Sequence, residues 1–298
     1  MAPRRGNLNR TWATIPYTRS VDRAIYHEFA ESVAGADRDV DLFGAAMAIA
    51  KLRGGPVDPH ATARELDLIA EAAREAAGEG ATVESLAGAI DHELFAVRGF
   101  HGNATDYGDP QNSYLDRVVE RRAGIPITLS LVFMEVAARV GLRCDGVGFP
   151  GHFLVRCGGE DGFFVDPFRQ GARPSREDLL AQLGRFDLGT ASPESYLLAV
   201  TRRQMLQRML NNLRAGFRER RDVERWLGTV EMLVCLEPWN AALVGERGML
   251  YYRSGEAALA LEDLQRYVSA AEPESVNSGA LRLLDELRLQ LGGSKEPK

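Results

Sequence analysis

The 298-residue chain predicts an α+β protein in which an N-terminal helical bundle merges into a core with a small antiparallel sheet, and a second, all-α region follows. Three observations predict it. Apolar residues recur at helical spacing before Phe100 and again after Tyr196. Between these stretches lie three short apolar runs, Val147-Gly148-Phe149, Phe153-Leu154-Val155 and Phe163-Phe164-Val165, separated by Gly, Pro and Asp as strands are by turns. A hydrophobic content of 45% over this length supports a sizeable core, divided among two domains or more.

In chain order, residues 1–20 read as an N-terminal tail, basic but with no apolar run behind it, so neither a secretory signal nor an anchor is expected. Residues 21–98 read as a helical region broken at Gly54-Gly55-Pro56 and Gly78-Glu79-Gly80. Its core stripes are Leu42, Ala45, Ala46 and Ile49, then Leu66, Ile69, Ala70 and Ala73, then Leu86, Ile90, Leu94 and Phe95.

Residues 99–190 form the expected core. Gly99 to Asn112 is too rich in Gly, Asn and Asp for regular structure and reads as a long ordered loop, a kind of segment that often carries function. A helix is predicted from Ser113, as N-cap, to Arg122, and another from Pro126 to Val140, stopped by Gly141. Both faces of the second and third apolar runs are hydrophobic, so the sheet should be covered on each side.

Residues 195–291 echo themselves. Asn212-Leu213, Phe217, Trp226, Val230 and Pro238 match Arg247-Gly248, Tyr251, Ala260, Leu264 and Pro273 at the period of a tetratricopeptide repeat. Two helical hairpins and a final helix, Ser278 to Leu291, would make a short array, with a disordered tail over 292–298.

Composition excludes several functions. A net charge of −6 and the short, interrupted cluster Arg218-Glu219-Arg220-Arg221 give no nucleic-acid surface. No apolar run approaches the roughly 18 residues needed to span a membrane. Cys144, Cys157 and Cys235 lack CxxC spacing, so neither a disulfide framework nor structural zinc is expected, and reduced thiols in a cytoplasmic protein are. His27, His60, His92 and His101 share no spacing, and no metal or cofactor is expected.

The chemistry-bearing pair is His152 and Asp166. A hairpin turning at Gly159 would set them directly opposite, and a carboxylate beside an imidazole prepares a general base. A histidine bonded to an aspartate inside a sheet can equally be structural, and spacing does not decide between the two.

Asn103, Asp106-Tyr107, Asp109-Pro110, Asn112-Ser113-Tyr114-Leu115, Arg122, Gly124-Ile125-Pro126-Ile127, Phe149-Pro150-Gly151-His152-Phe153-Leu154 and Asp166-Pro167-Phe168 together resemble the SirB family, which joins a transglutaminase-like core to tetratricopeptide repeats. The resemblance runs from about Asp41 to Pro273. It implies a papain-like architecture in which a cysteine opens a helix, where the helix N-terminus favours the thiolate, with the base and aspartate on successive strands. Here that place falls at or next to Pro126, and no cysteine is there. Thr128 and Ser130 are the substitute hydroxyls to weigh, against the alternative that both merely pack. Asp106, Tyr107, Asn112 and Arg122 would line a cleft with His152 and Asp166, or else Asn112 and Arg122 pin the loop. A protein or peptide partner, met by the cleft and the repeats, is the leading expectation. A hydrolase or acyl-transferase using Ser130, Thr128 or an activated water is the alternative.

Overall fold

The computed structural model describes residues 23–272 and 276–292. The expected N-terminal tail, Pro273 of the second repeat and residues 293–298 lie outside that range. The chain divides into two compact units, residues 32–216 and residues 217 onward together with 23–31.

In the first unit the N-terminal helices follow the apolar stripes. Helix α2 (Leu42–Lys51) begins where Asp41 Oδ1 accepts the Gly44 N–H at 2.9 Å. α3 (Pro59–Ala77) begins at Asp58 with Pro59 in its first turn, and α4 (Val83–Asp91) at Thr82. Two stripes are buried in full. The third departs from expectation because α4 runs into a π-helical turn, His92–Val97, which changes the periodicity. That turn leaves Phe95 half-buried and buries Glu93, paired with Arg98 at 2.8 Å.

The loop from Gly99 carries more regular structure than its composition predicts. His101–Gly102 (β1) pairs in parallel with Ala123–Gly124 (β2), and Pro110–Ser113 forms a 3-10 turn capped by Asp109. Ser113 is therefore not the N-cap of the next helix. It is buried in that turn, and α5 (Leu115–Arg121) starts after Tyr114 with no side-chain cap. Arg122 takes a left-handed conformation (φ 55°) that turns the chain into β2, and α6 (Pro126–Arg139) follows as expected.

Strands β3 (Cys144–Val147), β4 (Leu154–Cys157) and β5 (Phe163–Val165) form an antiparallel sheet in that order. Val155 pairs with Val165 rather than with Phe163, so the hairpin is shifted by two residues from the predicted register. The turn spans Gly158 to Gly162, closed by the Gly162 N–H on the Gly159 carbonyl at 3.1 Å. α6 covers one side of the sheet. On the other, Leu179 and Leu183 of α7 (Arg176–Leu183) pack with Leu154, Phe164 and Phe149.

Helix α8 (Arg202–Arg220) contains the boundary between the units. The second unit holds α9 (Val223–Leu236), α10 (Ala241–Arg253), α11 (Ala257–Ala270) and α12 (Ser278–Gly292), each packed on the next, along with most of α1 (Arg23–Ser32). Glycine is needed where α10 crosses α11, since a Cβ at Gly248 would lie 3.0 Å from Leu264 and one at Gly245 would lie 2.7 Å from the Tyr267 ring. Arg247 and Asp263 form a buried bidentate pair at 2.6 and 2.8 Å between these helices.

Candidate functional site

His152 closes a tight turn before β4, its N–H donating to the Phe149 carbonyl at 3.0 Å, with Gly151 at φ 67° making the bend. The turn is held from α8. Arg208 Nη2 donates to the carbonyls of Phe149 (3.1 Å) and His152 (2.6 Å), and its guanidinium lies 5.4 Å from the centre of the Phe153 ring. Burial lowers the pKa of Arg208 from the usual arginine value.

The His152 ring reaches Asp166 although the two are not register partners, because His152 lies in the turn and not in the strand. Its Nε2 donates to Asp166 Oδ2 at 2.8 Å. Asp166 is buried, and its Oδ1 accepts the Arg169 N–H at 3.1 Å, which starts the turn Pro167–Arg169. Nδ1 has no hydrogen-bond partner among the described residues. Phe168 stands edge-on to His152 at 5.8 Å and to Tyr107 at 6.3 Å, joining the loop to the pair. Gly102 makes that placement possible, since a Cβ there would come within 2.6 Å of the Phe168 ring.

The remaining predicted residues separate into two groups. Asn112, fully buried, accepts from Asn103 Nδ2 at 3.0 Å and donates to the Asp106 carbonyl at 2.7 Å, while the Asp106 N–H donates to Asn103 Oδ1 at 3.1 Å. Arg122 donates to the Arg98 carbonyl at 2.9 Å. These contacts pin the loop, and among the loop candidates Tyr107 connects to His152, through Phe168. Pro126 is buried in the first turn of α6. Thr128 Oγ1 donates to the Asn112 carbonyl at 2.7 Å and accepts the Ile125 N–H at 3.1 Å, so it fastens the loop to the helix start. Ser130 Oγ is buried with no hydrogen-bond partner among the described residues. No hydrogen bond joins either hydroxyl to His152.

The thiols are placed elsewhere. Cys144 and Cys157 are register partners at the end of the β3–β4 pair away from His152, with sulfurs 3.0 Å apart, and Cys235 belongs to α9. The hydrogen bond to Cys157, and then burial, push the Cys144 thiol well above the ordinary range, the opposite of an activated nucleophile.

A cavity of about 280 Å³ opens beside the pair, with His152 and Asp166 in its lining. Its further lining includes Arg169, Gln182 and Arg185. Sequence reasoning did not select these three residues or Arg208. Phe168 was inside a quoted motif, whereas Arg208 acts on backbone carbonyls 56 and 59 residues away and leaves no local signal.

Residues 60–211 match the transglutaminase-like superfamily and residues 213–287 the tetratricopeptide repeat. A UPF0162 protein of Xylella fastidiosa is 39% identical over 186 residues, 60% of this chain and 66% of that protein. A UPF0162 protein of Vibrio cholerae is 25% identical over 174 residues, covering 57% of this chain and 64% of its own. F-box only protein 21 of Mus musculus is 30% identical over 179 residues, 56% of this chain and 28% of that protein. The chain thus spans just under two thirds of the length of the two bacterial relatives.

Proposed function

The chain belongs to the transglutaminase-like superfamily, and we propose that within it this protein is a SirB-type binding module without the triad cysteine, taking a protein or peptide partner in its His152–Asp166 cleft and on its repeats. One observation carries the reading: among the described residues, Asp166 is the hydrogen-bond partner of the His152 ring, and no thiol or hydroxyl bonds to it. A transglutaminase-type reaction needs a nucleophile there to accept the acyl group. Tetratricopeptide arrays present extended surfaces to other proteins, which supports a partner of the same class. The reading keeps the division into a helical region (21–98), a core (99–190) and a repeat region (195–291), and a cytoplasmic setting in which thiols stay reduced.

Affinity capture with the intact chain tests the proposal, run beside amidase and esterase screens. The wild-type protein should retain a partner, His152→Ala should lower retention at least tenfold, and no turnover should appear. Turnover lost in both His152→Ala and Asp166→Asn sinks the binding-only reading. A second reading, hydrolysis through a water activated by His152, is favoured by the place of His152 in the cavity lining with its Nδ1 unbonded among the described residues, and does not need Ser130 or Thr128.

A further inference from the structure

We propose that the cavity beside the His152–Asp166 pair is a carboxylate pocket, selecting a peptide carboxylate attached or adjacent to an apolar side chain. The inference rests on the binding reading above and adds the chemistry of the ligand. The 280 Å³ cavity adjoins a second of about 450 Å³, and the two share Asp166, Arg169, Pro174, Gln182 and Arg185. Three arginines, Arg169, Arg173 and Arg185, thus line these neighbouring cavities, and Arg169 and Arg185 line both.

The charges around these cavities are unequally committed. Asp166 is taken by His152 and by the Arg169 N–H. Asp178, at the start of α7, has its Oδ2 engaged by Ser175, whose Oγ lies 2.8 Å away and whose N–H lies at 3.3 Å. Arg173 is held by Asp91 and stacks 4.6 Å from the Phe163 ring centre. In contrast, no hydrogen bond or ion pair engages the Arg185 or Gln182 side chain among the described residues. Arg169 is 64% exposed and makes one long ion pair, 3.7 Å to Asp166. Uncommitted donors therefore outnumber uncommitted acceptors, and two planar forks with an amide suit a carboxylate.

The other wall is apolar. Phe186 stands 45% exposed next to Arg185, and Phe149, Pro150 and Leu154 line the same cavity. A free inorganic anion would leave that wall unused, whereas a peptide with an apolar residue at or beside its carboxylate would cover both. A side-chain carboxylate and a chain-terminal one share this chemistry.

The test titrates the full-length protein with three peptides: acetyl-Ala-Ala-Leu as the free acid, the same peptide as its C-terminal amide, and acetyl-Leu-Glu-Ala-amide. Binding is followed by calorimetry and by the Nε–Hε signals of arginine. At least one acid peptide should bind and shift the signals of Arg169 and Arg185, and the neutral amide should bind at least tenfold more weakly. The acid that binds names the source of the carboxylate. Arg169→Gln and Arg185→Gln should each weaken it at least fivefold. Equal binding of acid and amide, absence of binding by both acids, or unchanged affinity in both variants overturns the pocket. Capture of a protein partner that depends on His152 but is unaffected in Arg169→Gln and Arg185→Gln would overturn it while leaving the binding reading intact.

Discussion

At the scale of residues, the site is organised by groups that touch the backbone as much as by the histidine and aspartate themselves. Arg208 holds the two carbonyls that shape the His152 turn, and its removal leaves both without that charged donor. Arg208→Ala is expected to destabilise the fold by about 2 kcal/mol, the range of a hydrogen bond to a charged group, and to raise amide exchange at His152. Urea denaturation and native-state hydrogen exchange measure the two effects, and an unchanged exchange rate at His152 would reject the role. Asp91 offers a pH-dependent counterpart. Burial raises its carboxyl from 3.8 to about 7, against the pull of Arg173. The folded state therefore holds this proton more tightly than the unfolded chain, and the contribution to stability is complete below about 4 and lost as pH rises through 7. Asp91→Asn keeps the site neutral, so the loss of stability between pH 4 and 8 should shrink in that variant. Parallel pH profiles of the urea midpoint for wild type and variant would refute the assignment.

At the scale of elements, legibility followed periodicity. The stripes of α2 and α3 could be read because one face of a helix must be buried, and the residues at that spacing are buried. The π-helical turn at His92–Val97 could not, since a change of period inside a helix looks like noise in a short window. The β4–β5 register failed for a sharper reason. A shift of two residues keeps every side chain on its original face, so alternation fits either pairing equally well. The pairing of His152 with Asp166 survived that error because His152 lies in the preceding turn, free to reach back. In the repeats, Gly248 was legible, whereas Gly245 and the buried Arg247–Asp263 pair were not, the pair because charged residues on two helices look like surface until the packing is known. Asp263→Ala should leave a buried guanidinium unpaired and destabilise the fold by about 3–5 kcal/mol. Replacing both partners by apolar residues, Arg247→Met with Asp263→Leu, should recover most of the loss. Thermal denaturation followed by circular dichroism decides it, and a double variant no better than the single would contradict the account.

At the scale of the whole molecule, the binding proposal uses surfaces on both compact units, and that is testable as thermodynamics. On the core the probe residue is His152. On the repeats it is Trp239, 76% exposed in the turn between α9 and α10. An exposed tryptophan is the side chain whose loss an interface feels most, and it carries no share of the core. If one partner spans the two surfaces, each acts to raise the effective concentration of the other contact. His152→Ala and Trp239→Ala should each weaken capture of the same partner about tenfold, or about 1.4 kcal/mol. Because the two residues belong to different units, the double variant should show the sum of the single effects within about 0.5 kcal/mol. Calorimetry with the partner identified by affinity capture measures all four proteins. A silent Trp239→Ala removes this part of the repeat surface from the interface. A double variant no weaker than His152→Ala would instead mean that the two contacts are coupled, and that the repeats contribute nothing once the cleft contact is lost.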